Sequence, residues 1–287
     1  MCSDSWSKRS SSAPNGFSFV IRFPFPVPIH HHVIYCVGGV LSPLLSNIAL
    51  SVLDEYFATA WAAMGSTHAR ELRRRKGLAN YRLVRYADDF VVLVAGTRTD
   101  AESLREQVAT VLAQMGLRLS ESKTKVCHID EGFDFLGFRI QRHRRRGAAK
   151  FFVYTYPTRK ALAGVKTKIR GMTIGSSHQP LSTLLQRLNP VLRGWTSYFR
   201  HGASSRTFGY LSSFAWRRVI CWLRRKALRS NWAELRRRFL RQWWPTEGAV
   251  ALFNAEAVSI IRYRYRGAAI PSPWPAKRVG QLVDSTT

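Results

Sequence analysis

Acidic residues are what this chain has least of. Its 287 residues hold 17 Asp and Glu against 45 Lys and Arg, a formal net charge of +28. The shortage is uneven: residues 135–287 contain only Glu234, Glu247, Glu256 and Asp284. So basic a half repels itself unless a polyanion is at hand. Nucleic acid is the default partner, with phosphate contacts driving affinity; an inert solvated face and a membrane surface are the competing readings. Cysteine is scarce too. Cys2, Cys36, Cys127 and Cys221 are nowhere paired at metal-ligand spacing, which argues against a zinc finger or zinc ribbon, and nothing demands an oxidising compartment. No apolar run reaches transmembrane length and no convincing signal peptide is present. The expected location is cytoplasmic and nucleic-acid-associated, with no membrane partner.

What is present suffices for one large domain or two modest ones, since 46% of the residues are hydrophobic. Residues 1–37 read as an unrelated or disordered leader, polar at first and then a Pro/Phe/His stretch. The four prolines from Pro14 to Pro28 rule out a helix there, and neither a helical nor a strand pattern is expected of the segment. His30–His32 could bind a metal by composition alone, or be incidental. "SPLLSNIALSVLDEYFATAWAAM" has helical spacing at Leu44, Ile48 and Val52, with Leu45 and Leu53 beside them, which predicts a largely buried helix. "HARELRRRKGLAN" reads as a basic loop. "YRLVRYADDFVVLVAG" predicts two strands around a short acidic turn. "TRTDAESLREQVATVLAQMGL" predicts a helix, with Thr99 and Glu102 as its capping box and Gly116 as its stop. "RLSESKTKVCHI" and "FDFLGFRIQ" follow as short strands. Residues 83–140 thus read β-β-α-β-β, an α+β layer. After Pro157 the apolar spacing becomes helical throughout, with Thr158 as the first cap.

Asp88 and Asp89 occupy the acidic turn. An Asp pair in a turn is often only turn chemistry. Here the strand that follows, Phe90 to Ala95, reads as fully buried, and adjacent carboxylates at its mouth call for a cation. Magnesium takes carboxylate and water oxygens, and paired metals support phosphoryl transfer.

"YADD", Tyr86 to Asp89, resembles the catalytic motif of reverse transcriptases, most closely those encoded by group II introns, also called maturases. "GGVLSPLLSNIAL", "GLRLSESKTKV" and "FDFLGFRI" resemble the neighbouring blocks in the same order. "RGMTIGSSHQPLSTLLQRLNPVLRGWTSYFRHG", "FGYLSSFAWRRVICWLRRK" and "RYRYRGAAIPSPW" are similar to the maturase-specific domain, also called thumb or domain X. The resemblance covers roughly residues 38–275. It implies an α+β fold: a partial polymerase palm at 38–140, a basic linker and strand at 141–157, an all-helical thumb at 158–275 and a tail at 276–287. It also implies RNA-directed DNA synthesis and assistance to intron splicing.

By the same resemblance Asp88 and Asp89 are the catalytic, magnesium-binding carboxylates, and Gly38, Gly39, Tyr86, Ala87 and Lys123 border nucleotide, primer and template. For Lys123 an exposed strand-end lysine is the alternative. Arg193 is assigned to RNA contact, and Arg217, Arg218, Arg224, Arg225 and Lys226, extended by Arg236, Arg237 and Arg238, to a phosphate-tracking surface, since unpaired charges are too costly to bury. Asn189-Pro190 reads as a helix break, with Trp195 and Tyr198 structural. The implied partners are group II intron RNA, a DNA target or primer, and a separately encoded N-terminal fragment. The departures are large. "CVGG" stands at Cys36–Gly39 where the family has "PQGG", and Asp4 is the only acid before Gly38. The fingers and the first palm strand with its aspartate are expected to be missing, so magnesium is expected to be held weakly or not at all, and autonomous polymerisation is not expected. An RNA-binding module with a dead polymerase half, or a translated relic with an open sheet edge, are the alternatives.

Overall fold

The computed structural model describes residues 19–23, 42–120, 124–144, 147, 151–174, 178–228 and 230–261. Its first layer is a four-stranded antiparallel sheet. The strands are β1 (Phe19–Phe23), β2 (Asn80–Tyr86), β3 (Asp89–Ala95) and β4 (Lys125–His128), in the order β2-β3-β1-β4. The strand at 19–23 corrects the reading of the leader. Its five residues pair with β3 from Phe19↔Val94 to Phe23↔Phe90, and with β4 from Phe19↔His128 to Arg22↔Lys125. The run "FVIRF" is made of strand formers bounded by Gly16 and Pro24; the prolines around it exclude a helix and leave a short strand open. The place beside β3, which the relic alternative leaves as an open edge, is therefore filled.

Alternation along the strands gives the sheet two faces. One face carries Ile21, Phe90, Val92 and Val94, packed against Leu50, Leu53 and Phe57 of α1 (Ser42–Ala63) and Ala101, Leu104, Val108 and Leu112 of α3 (Arg98–Ala113). The α3 positions recur at three and four residues, one stripe of a helix. On α1 the expected set divides: Leu53 is fully buried, whereas Leu44 and Ile48 are more than half exposed. Two local signals also shift. "HARELRRRKGLAN" contains a helix, α2 (Thr67–Arg75), because Ser66 caps it by accepting from the Ala69 N–H. The capping box of α3 is Thr97 with Asp100, two residues earlier than expected, while Glu102 pairs with Arg98.

The second face carries Val20 and Val91, which meet Ile129 and Phe133, with Phe135 and Ile140 beside them. These belong to a second antiparallel sheet, β5 (Phe133–Phe135), β6 (Phe138–Arg144) and β7 (Phe151–Pro157). Its first hairpin turns on Leu136 and Gly137 alone, both at positive φ, the two-residue turn that matches strand twist.

Beyond Pro157 come α4 (Arg159–Ile174), α5 (Leu181–Phe199), α6 (Ser205–Lys226) and α7 (Trp232–Phe239). Thr158 caps α4 by accepting from Ala161 N–H at 3.1 Å. The core is Ile169 of α4, Leu184, Leu188 and Leu192 of α5, and Leu211, Val219 and Trp222 of α6, all fully buried. The unit is not all-helical. A small antiparallel sheet, β8 (Leu240–Arg241), β9 (Trp244–Glu247) and β10 (Val250–Ala251), packs against α5 and α6. Nor does α5 break at Asn189-Pro190: the helix runs through Pro190. Asn189 is buried, donates to Ala251 O and accepts from Phe253 N–H, both at 2.8 Å. It is a clamp between the helix and the segment after β10.

Candidate nucleic-acid site

β2 and β3 pair down to Tyr86↔Asp89, so the hairpin turns on Ala87 and Asp88 alone. Ala87 takes φ +52°, a region that glycine enters more easily than alanine. Arg85 holds this turn in place. It donates to Ala87 O and to Asn47 Oδ1, both at 2.8 Å, and from Nε to both carboxylate oxygens of Asp54 on α1. The structure thus brings Tyr86, Ala87, Asp88 and Asp89 together at one end of the sheet. Asp88 is exposed and Asp89 half-buried. Gly38, Gly39 and Lys123, and the histidines at 30–32, lie outside the described residues.

The pair offers a magnesium ion two neighbouring carboxylates. No group of three or more His, Cys, Asp or Glu side chains that could hold a metal occurs among the described residues. The strand beside β3 contributes Val, Ile, Arg and Phe rather than an acid. These residues fit one loosely held, mostly hydrated ion; they do not make up a two-ion cage.

Next to the turn lies a cleft of about 780 Å³. Tyr86 stands at one wall, Phe135, Phe138 and Ile140 of the second sheet form another, and α5 closes it with Gly194, Ser197 and Tyr198, joined by His201 in the turn that follows. Gly194, Ser197 and Tyr198 are spaced i, i+3, i+4, so one stripe of α5 faces the cleft; of Gly194 and Tyr198, which the sequence singles out, Tyr198 reads there as structural, whereas here it also lines the cleft. Tyr198 OH donates to Leu136 O at 2.8 Å, which ties α5 to the hairpin tip. Burial, then the neighbouring Tyr86, push the Tyr198 phenol above its usual pKa. Aromatic walls with a few hydroxyl and imidazole groups suit stacked bases or sugars.

The basic residues of α6 do not form one surface. Arg217 and Arg224 are seven apart, share a face and are exposed. Arg218 and Arg225, also seven apart, turn to α4: Arg218 Nε donates to Thr173 Oγ1 at 3.0 Å and Arg225 donates to Thr173 O. Lys226 donates to Gln179 O at 2.9 Å and to His178 O at 3.2 Å. Arg225 thereby meets a carbonyl in the last turn of α4, where the dipole favours a cation, while Lys226 holds the segment that leads into α5. Arg193, Arg236, Arg237 and Arg238 are exposed. Arg193, Arg224 and Arg236 lie 5.3, 5.3 and 5.0 Å from the ring centres of Phe253, Trp232 and Trp243. Stacking of this kind leaves much of a guanidinium edge available to phosphate. None of the described helices is long and apolar enough to cross a membrane.

Comparison with known proteins agrees with this geometry. The family model "Reverse transcriptase (RNA-dependent DNA polymerase)" matches residues 32–140, and "Group II intron, maturase-specific domain" matches 162–244. Protein YkfC of Escherichia coli (strain K12) is 39% identical over 141 residues, 43% of this chain and 36% of that protein. The group II intron-encoded protein LtrA of Lactococcus lactis subsp. cremoris is 28% identical over 158 residues, 39% of this chain and 26% of that protein. Nuclear intron maturase 1, mitochondrial, of Arabidopsis thaliana is 30% identical over 153 residues, 44% of this chain and 20% of that protein. The matches span well under half the length of each of these relatives. Together, the acidic hairpin within the first matched segment and the helical unit within the second place the chain in the group II intron-encoded reverse transcriptase/maturase family.

Proposed function

We propose that the chain holds RNA, with intron RNA as the natural ligand, and does not by itself carry out RNA-templated DNA synthesis. The observation that carries this reading is the identity of the strand beside β3. The segment Phe19–Phe23 fills the place next to the acidic turn and supplies no carboxylate. Asp88 and Asp89 then act as a pair at the end of a nucleic-acid cleft rather than as part of a bridged two-metal site. Members of the family are RNA-directed DNA polymerases that use divalent metal, and they assist splicing of their intron. The RNA-holding part of that work is assigned here to the aromatic cleft and to the exposed arginines Arg193, Arg217, Arg224 and Arg236–Arg238. A separately encoded piece that brought an acidic strand to β3 would have to displace β1.

Two assays on the purified chain test the proposal. Binding to a group II intron RNA should weaken steeply with salt and should survive Asp88→Asn with Asp89→Asn. Primer extension on an RNA template with magnesium should give no product. Absence of RNA binding at low salt would sink the first half, and robust extension abolished by Asp88→Ala would sink the second.

A further inference from the structure

A second basic cluster lies on the sheet layer, away from the helical unit. It starts at Trp61 on α1. The Arg70 guanidinium of α2 lies 4.0 Å from the centre of that indole, and the Arg82 guanidinium of β2 lies 5.1 Å from it. Arg82 belongs to the strand face opposite Tyr81 and Leu83, which pack toward α1. Its side chain therefore wraps round the open edge of the sheet, β2 being an edge strand. Two like charges thus converge on one ring. The end of α2 adds Arg74, Arg75 and Lys76. The run from Arg70 to Lys76 has one acid, Glu71, and its carboxylate is taken by Arg75. The cluster is held firmly. Buried Asn80 donates to Arg70 O at 2.8 Å and accepts from Arg73 Nε at 3.2 Å, which fixes α2 on the start of β2.

The cluster is continuous with the cleft. Arg82, Val84 and Tyr86 are all exposed and alternate on one face of β2. Tyr86 is also a wall of the cleft beside the acidic turn. From Arg82 to Tyr86 is about 13 Å at ~3.3 Å per residue, the length of about four stacked nucleotides at ~3.4 Å each. A strand whose end sits at Tyr86 would therefore reach the guanidinium pair along an open, partly apolar track.

We propose that Trp61, Arg70, Arg82 and the basic end of α2 form a second RNA contact surface, which takes the phosphates of a single strand leading away from the cleft. This rests on the RNA-holding role proposed above, and it adds a site on the sheet layer to the one on the helices. Stacking on Trp61 leaves the Arg82 edge available to phosphate oxygens, while Arg70, anchored by donating to Gly65 O and to Thr67 Oγ1, adds its charge beside it. The charge also shields the edge of β2 from pairing with another chain, and that role alone is the rival explanation.

The test uses the full chain and a fluorescein-labelled 12-nucleotide oligouridylate, with anisotropy followed across a salt series. The double variant Arg70→Gln with Arg82→Gln should bind several-fold more weakly at 0.1 M salt. Its slope of log affinity against log salt should fall by about 1.4, at ~0.7 per phosphate contact to a single strand. An unchanged slope in a variant with the parent's circular dichroism spectrum would overturn the proposal and leave edge shielding. If the variant does not fold, the wild-type chain decides the matter: photo-crosslinking with 4-thiouridine RNA should label residues between 61 and 82, and labelling confined to residues 86–261 would overturn it. Binding of the same-sequence DNA more than tenfold tighter than the RNA would overturn the choice of RNA. A wild-type chain that binds no RNA would instead count against the earlier proposal.

Discussion

Replacement of Arg85 by methionine removes the group that holds the acidic turn while keeping the apolar stem. The side chain is 16% exposed and its partner Asp54 is 43% exposed. The ion pair is half in water, so it contributes about 0.5–1 kcal/mol. The hydrogen bond from the guanidinium to Ala87 O adds about 1 kcal/mol, below the upper range for charged donors because water reaches the turn. The Asn47 contact is exposed and adds little. Arg85→Met should therefore destabilise the chain by about 2 kcal/mol in urea unfolding. Arg85→Lys should recover less than half of this, because one ammonium cannot grip Asp54 through two nitrogens and also reach the turn. A double-mutant cycle with Asp54→Asn should give a coupling of about 0.5–1 kcal/mol. Amide exchange at Ala87 and Asp88 should speed up by more than the global change explains. A loss under about 0.5 kcal/mol with no coupling would refute the view that Arg85 holds this turn.

Three further outcomes are expected. Ile21→Ala should cost about 2–5 kcal/mol by urea unfolding, because Ile21 is fully buried between the sheet and the helices; a loss under about 0.5 kcal/mol would remove β1 from the core. Asn189→Ala should cost about 2–4 kcal/mol by the same measurement, because Ala251 C=O and Phe253 N–H both lose their partner, and a neutral result would refute the clamp. The Asp130 carboxyl is held below its usual pKa, chiefly by the hydrogen bond from Arg142, against a desolvation that raises it. Its contribution is therefore present above the ordinary carboxylate range, near pH 4, and is lost as pH falls through the lower folded value. The effect is small because the side chain is 45% exposed; Asp130→Asn should flatten that part of the acid unfolding curve, and an unchanged curve would refute it.

The acidic hairpin was readable because its signals are local: alternating strand formers, a two-residue turn, and Asp at that turn. The helical core was readable because Leu184, Leu188 and Leu192 repeat at four residues. What escaped depends on partners far away in sequence. β1 is five residues among prolines, and only β3 and β4 make it a strand. Nothing near Asn189-Pro190 announces that the amide clamps residues 251 and 253, so a helix break is the natural local reading. The division of the α6 arginines into an outward pair and a pair facing α4 follows from their seven-residue spacing. Which pair reaches α4 depends on Thr173, some 45 residues earlier. The first hairpin of the small sheet, β8–β9, turns on Gln242 and Trp243, both at positive φ without glycine, so it lacks the usual hairpin signature.

The position of β1 also sets a folding order. It pairs with residues about 70 and about 105 positions further along the chain, so its contacts are among the least local in the sheet, and such contacts form slowly. During synthesis β1 is made first and can dock last. At ~5–20 residues per second, about 5–20 s separate its emergence from that of β4. In that interval β2 and β3 form a two-stranded hairpin, which is marginal by itself, and Val20 and Ile21 remain in water. Of the four strands of this sheet, the one that completes it is thus made earliest and waits longest for its partners.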